Sequence, residues 1–239
     1  MKTYIRGIQA VFVLLILWII LYLFIDHALI MPSPIDVLSG LINIISTPIW
    51  LKALASTLGR LIFILGIAAL SGVVFGVYSG FHPKTSAFIS PYITILRTIP
   101  VISIIVILLI ILGYQLAPFA ITWFMIFPII YQASLEGVRH LDLELLDVYH
   151  LENNDFWLGI KLVYYPMLKK NIFLSFMQSF SLGIKVLIMA EYLAQTPNSM
   201  GNALYLARVN LNYDLVFAWT IILILIAFGL EYVIKKFSD

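Results

Sequence analysis

The sequence predicts an all-α membrane protein of six transmembrane helices with both termini in the cytoplasm. Three observations lead there: the scarcity of charge, the spacing of the apolar runs and the side on which the basic residues fall. Of 239 residues, 62% are hydrophobic and 11% charged, and the mean hydropathy is +1.05. Soluble domains are about 25% charged, so a water-soluble globule, a disordered chain and a nucleic-acid binder all fit poorly. The formal net charge of +2 implies no strongly acidic or basic partner surface. With no Cys, the chain can hold neither a disulfide framework nor a thiolate site, and His27, His82, His140 and His150 show no metal-ligand spacing.

A bilayer crossing needs about 20 mostly apolar residues. Residues 8–25 supply one, with Gln9 as the only strongly polar side chain. This run is longer than the roughly 7 to 15 apolar residues of a signal peptide and no small-residue cleavage site follows it, so it is expected to be a retained helix. Further spans are expected at 61–80, 98–112, 116–134, 171–190 and 215–234. Six crossings return the chain to the side on which it began. The N-in, C-in arrangement puts Lys2, Arg6, Lys84, Arg139, Lys161, Lys169, Lys170, Lys235 and Lys236 in the cytoplasm and only Lys52 and Arg208 outside, as the positive-inside rule requires.

Two features stand out within the spans. Ala68, Gly72, Gly76 and Gly80 recur every four residues in the second span and so share one helix face. Small residues at that spacing let membrane helices approach closely, which is either ordinary packing or the contact of a sliding helix pair. The other feature is Lys185, inside the fifth span. A Lys at the centre of a membrane helix costs at least about 2.5 to 3.5 kcal/mol. Glu191 lies six residues on, a rotation of about 240°, and is not its same-face partner. Ser181 and Met189 share its face. The ammonium could meet an anionic solute, bond to carbonyls of a neighbouring helix or snorkel to an interface.

The connections are mostly short, but residues 135–166 form a long cytoplasmic excursion and 192–213 an external one. The first holds Glu136, Asp142, Glu144, Asp147, Glu152 and Asp155, half of the 12 acidic residues of the chain. Leu145, Leu146, Val148, Tyr149 and Leu151 are too apolar for a freely solvated linker, which favours a short helix burying one face against a partner over an inert connector.

The run EGVRHLDLELLDVYHLENNDFWLGIKLVYYP, Glu136 to Pro166, resembles the EAA loop of ABC-importer permeases, in which an acidic residue and two small residues are followed by a Gly and a Pro at fixed distances. Asp147 stands at the acidic position, Val148 and Tyr149 at the small ones, Asn153 at the Gly and Pro166 at the Pro. Asn tolerates the left-handed backbone a helix-turn-helix needs there, while Val148 and Tyr149 enlarge the docking face. Flanking segments are similar to the nitrate, sulfonate, taurine and bicarbonate branch: Pro32, Ser33 and Pro34; Ser56, Leu58 and Arg60; Leu96, Arg97 and Pro100; Gly137, Val138 and Arg139. The resemblance spans nearly the whole chain.

The resemblance implies one permease domain, residues 1–239, with the type I ABC importer transmembrane fold, in the inner or plasma membrane of a prokaryote. It implies a homodimer, two copies of a separate ABC ATPase at the loop, an extracytoplasmic substrate-binding protein or lipoprotein, and a small anionic or polar solute such as a sulfonate, nitrate, bicarbonate or vitamin precursor. The ATPase contact would centre on Leu146, Asp147, Val148, Asn153 and Asn154, with Gly137 and Pro166 framing the loop. Arg60 and Arg97 match family positions and would tie helices together or line the translocation path. Glu191 matches an acidic position and would hold the external loop to the fifth span. The segment from Pro197 to Asn210 is similar to a Gly-rich stretch facing the binding protein. No phosphate-binding GxxxxGK[ST] loop occurs, so ATP hydrolysis belongs to another chain, and no cofactor is expected. An ion-gradient-driven secondary transporter is the alternative, though no inverted repeat is evident. An intramembrane enzyme would rest on Ser181 with Lys185 alone.

Overall fold

A computed structural model of the chain describes residues 2–25, 27, 30–141 and 156–236. These residues build eight helices: α1 (Lys2–Ile25), α2 (Pro34–Ser46), α3 (Ile49–Phe81), α4 (Pro83–Thr98), α5 (Val101–Arg139), α6 (Tyr165–Ala194), α7 (Met200–Val209) and α8 (Tyr213–Lys236). A helical turn, Phe156–Gly159, and a π-helical turn, Ile160–Tyr164, lead into α6. Three helical stretches are long and apolar enough to cross a membrane: Ile49–Phe81, Val101–Arg139 and Lys161–Ala194. Shorter apolar stretches are Val11–Ile25, Pro34–Ser46 and Tyr213–Gly229.

Proline sets several boundaries. His82 precedes Pro83 and Ile99 precedes Pro100, and both residues are extended because the proline ring disfavours the α conformation in its predecessor. The chain therefore breaks between α3 and α4 and again between α4 and α5. Before α2, Ser33 and Asp36 form a reciprocal capping box, with Pro34 in the first turn. Ser199 caps α7 by accepting from the Asn202 amide at 3.0 Å.

The expected spans 98–112 and 116–134 fall in one continuous element, α5, which is broken at Gly113 (φ 69°, ψ 178°). Only glycine adopts that backbone without strain. The break is sharp. Val101 and Met125 line one cavity, although a straight helix would hold them about 36 Å apart. Ile104 and Ile105 likewise cluster with Ala117, Ile121 and Met125. The first arm of α5 therefore folds back along the second. The expected second span, 61–80, is the latter part of the 33-residue α3. Its first turns carry Lys52, Ser56, Thr57 and Arg60, which depress hydropathy without opposing helix formation.

The core is a three-helix unit. Leu61, Ile64, Leu65 and Ala68 of α3 pack with Ile126 and Ile130 of α5 and Phe180, Ile184 and Leu187 of α6. A second cluster joins α2, α7 and α8 through Val37, Ile44, Met200, Ala218, Trp219 and Ile222. There Trp18 of α1 stacks on Phe217 at 5.6 Å and donates from Nε1 to the Pro32 carbonyl at 3.2 Å. Much of α1 stays uncovered, Leu14 at 64% and Phe24 at 87% exposure, an apolar surface too continuous for water.

Candidate functional site

The second arm of α5 and helix α6 run antiparallel, and on the side away from α3 they leave a trough. Its cavity, about 510 Å³, is lined by Met125, Ile129, Gln132, Ala133 and Glu136 of α5, by Gln178 and Leu182 of α6, and by Leu96, Arg97, Ile99 and Val101. A second cavity of about 340 Å³ shares Ala133, Glu136 and Gln178 and continues to His140, Asn171, Leu174 and Ser175. Together they bring Arg97, Gln132, Glu136, Asn171, Ser175 and Gln178 onto one side of helices that are otherwise apolar. Gln132 donates from Nε2 to Glu136 Oε1 at 2.7 Å. The guanidinium of Arg97 is exposed and makes no ion pair among the described residues. By contrast, two further cavities, between α3 and α6 and between α3 and α5, are lined almost wholly by apolar and aromatic side chains.

Lys185 is exposed, while Gly183, Ile184, Val186 and Leu187 around it are buried. Ser181 is half-buried, and Met189 is exposed. The face they share is therefore the one α6 leaves open.

Arg60 and Glu191, treated separately in the sequence, come together. Arg60 Nη1 lies 2.7 Å from Glu191 Oε1, with Glu191 fully buried and Arg60 19% exposed. Thr57 donates to Glu191 Oε2 at 2.8 Å, and the Gly201 amide makes a longer bond to the same oxygen, 3.5 Å. The Met200 amide donates to Thr57 Oγ1 at 3.1 Å, and Arg60 Nη2 reaches the Pro197 carbonyl at 3.5 Å. One carboxylate thus joins α3, α6 and the start of α7. Gly201 is required for this approach, since a Cβ there would sit 2.5 Å from the Ile188 carbonyl oxygen and the Tyr192 nitrogen. Farther along α7, Arg208 donates to the Tyr192 hydroxyl at 3.0 Å, which raises its guanidinium above the ordinary value. Thr196 donates to the Tyr114 carbonyl at 3.3 Å, so the bend of α5 lies at this same end. Thr57 and Gly201 were not singled out in the sequence; the i, i+3 spacing of Thr57 and Arg60 is the signal that would have found the first. Arg97 takes no part in this cluster.

The small-residue stripe packs against the second arm of α5. A Cβ on Gly72 would lie 2.8 Å from Ile130 Cβ, on Gly76 2.5 Å from the Tyr131 carbonyl oxygen, and on Gly80 2.5 Å from Val138 Cβ. Ala68 is fully buried in the core. Apart from Trp123 donating to Ser71 at 3.3 Å, this seam is chiefly van der Waals contact, and the hydroxyls of Ser79, Tyr131 and Ser134 have no partner among the described residues.

Of the loop residues, Gly137 is buried near the end of α5, where a Cβ would come within 2.8 Å of Leu168 Cδ2. Pro166 is exposed in the first turn of α6. Leu146, Asp147, Val148, Asn153 and Asn154 lie outside the described residues. Among the described residues no group of three or more His, Asp or Glu could hold a metal ion.

In comparison with known proteins, residues 72–238 match the family described as "binding-protein-dependent transport system inner membrane component". Among curated proteins, none matches the chain.

Proposed function

This chain belongs to the binding-protein-dependent transport system inner membrane component family, and on that premise we propose that it forms half of the translocation path of an ATP-driven importer for a small polar solute. Membership alone makes the chain a multi-pass inner-membrane permease component of an ABC transport system, without catalytic activity, the ATPase being a separate subunit. The finer reading is a six-span, N-in and C-in homodimer with two ATPase subunits at residues 135–166 and a binding protein at the opposite end.

The observation that carries the reading is the trough. Polar and charged side chains on membrane helices normally face protein or a water-filled path. Here Arg97, Gln132, Glu136 and Gln178 converge on one groove, and a second copy of the chain would close it. The tight turn at Gly113 supports two separate spans within α5, as the six-span count requires. Glu136 and Gly137 stand where the trough meets the loop, so force applied at residues 142–155 would act directly on the second arm of α5 and the start of α6.

The test is binding-protein-stimulated ATP hydrolysis by the reconstituted complex carrying Asp147→Ala with Asn153→Ala. Loss of stimulation with basal hydrolysis retained is the expected result. Unchanged stimulation would remove the loop from the coupling role.

A further inference from the structure

Leu182 is the α6 residue farthest along the helix that lines the trough, and Lys185 lies one turn beyond it. On an ideal helix, seven residues advance the chain about 10.5 Å and return it to within about 20° of the same direction, so Lys185 projects in nearly the direction of Gln178, two turns beyond it and one turn beyond Leu182. The residues of α6 that line the two connected cavities, Asn171, Leu174, Ser175, Gln178 and Leu182, span an arc of about 100°, and Lys185 lies inside it. Burial agrees: Lys185 is exposed and its neighbours on the other faces are buried.

Three destinations were open for this ammonium. A carbonyl of a neighbouring helix is not its partner, since Lys185 makes no hydrogen bond or ion pair among the described residues. Val186 beside it is buried among Ile104, Ile105, Ile121 and Met125. Snorkelling to the nearer end of α6 would require about 14 Å of travel from Lys185 to Ala194, farther than a four-carbon stem reaches. The open groove is the remaining environment.

We propose that Lys185 and Arg97 form a two-step cationic filter in the trough, so that the membrane subunit itself favours an anionic solute over a cationic one. This rests on the trough being the translocation path. Arg97 lines the same cavity as Leu182, and Lys185 lies one turn beyond Leu182, so an anion leaving one approaches the other. Glu136, whose carboxylate accepts from Gln132, is the acidic group lining these cavities. It lies in the last turn of α5, where it disfavours an anion settling at the inner end.

The chain has no Cys, which permits a direct measurement without a known substrate. Leu182→Cys places one thiol in the trough of the complete transporter in membrane vesicles. The probes are an anionic sulfonatoethyl and a cationic trimethylammonioethyl methanethiosulfonate, compared by their rates of thiol modification at low ionic strength. A unit charge about 7 Å away acts with opposite sign on the two reagents, so adding Lys185→Met lowers the anion-to-cation rate ratio about fivefold. Lys185→Arg restores it, and Arg97→Met lowers it further. Reaction with both reagents at a ratio that Lys185→Met leaves unchanged overturns the filter and leaves the path standing. Failure of both reagents to reach the thiol overturns the path and the filter with it.

Discussion

Replacing Arg60 by Ala leaves the Glu191 carboxylate fully buried, with only the Thr57 hydroxyl and a long bond from the Gly201 amide in compensation. Removing one partner of a buried pair costs about 3 to 5 kcal/mol, because the other charge stays behind without its neutralising contact. Arg60 is 19% exposed, so water can partly replace it and the lower end, about 3 kcal/mol, applies. For a chain of this length that is a fall in Tm of about 6 to 12 °C, measured by thermal unfolding in lipid nanodiscs. Glu191→Gln keeps an acceptor for Thr57 and Gly201 and leaves only the partly solvated Arg60 unpaired, so its cost is smaller, about 1 to 2 kcal/mol. The double variant carries no unpaired buried charge and loses less than the sum of the two, with a coupling of about 1 kcal/mol or more. Additive losses, or a shift below 2 °C for Arg60→Ala, would refute the assignment of Arg60 and Glu191 as the joint that holds α3, α6 and α7 together.

Two glycines separate backbone from packing effects. Gly113→Ala has open space for its methyl group but an unfavourable φ of 69°, so it costs about 1 to 3 kcal/mol through the backbone alone, seen as a lower Tm with unchanged helix content. Gly76→Ala has ordinary helical backbone but no room beside Tyr131 and Ser134. It costs about 1 to 3 kcal/mol by overpacking, and Gly76→Leu abolishes the folded α3–α5 pair in the same unfolding measurement. Gly201→Ala lifts α7 from α6, which a fluorescence probe on α7 would report as loss of ordering, with no change expected at the cytoplasmic end.

The broad architecture was readable because lipid imposes long apolar runs and because an i, i+4 series of small residues leaves few alternatives to a close helix contact. The loop assignment rests on fixed spacing within one short segment, whose residues 142–155 lie outside the described residues. What escaped was non-local. Thr57 and Glu191 are 134 residues apart in the chain, and no periodicity relates them. The short helices α2, α4 and α7 escaped a search for 20-residue runs, although the Ser33–Asp36 capping box is a local signal for the first. The three residues between two expected spans marked a turn, but only the positive φ of Gly113 and the return of Ile104 and Ile105 onto Ile121 show how tight it is. Lys185 was conspicuous as a charge in a span; its direction depended on knowing which α6 residues line the trough.

The proposed function requires two identical membrane subunits driven by a separate ATPase. Native mass spectrometry of the tagged chain, released from its own membranes in mild detergent, tests that without knowledge of the solute. Each chain contributes 27.1 kDa. The expected species is an assembly of two such chains with two ATPase subunits, which dissociates into permease and ATPase when Asp147 and Asn153 are both replaced by Ala. A single chain at its own mass, with no ATPase bound at any detergent concentration that keeps it folded, would contradict it.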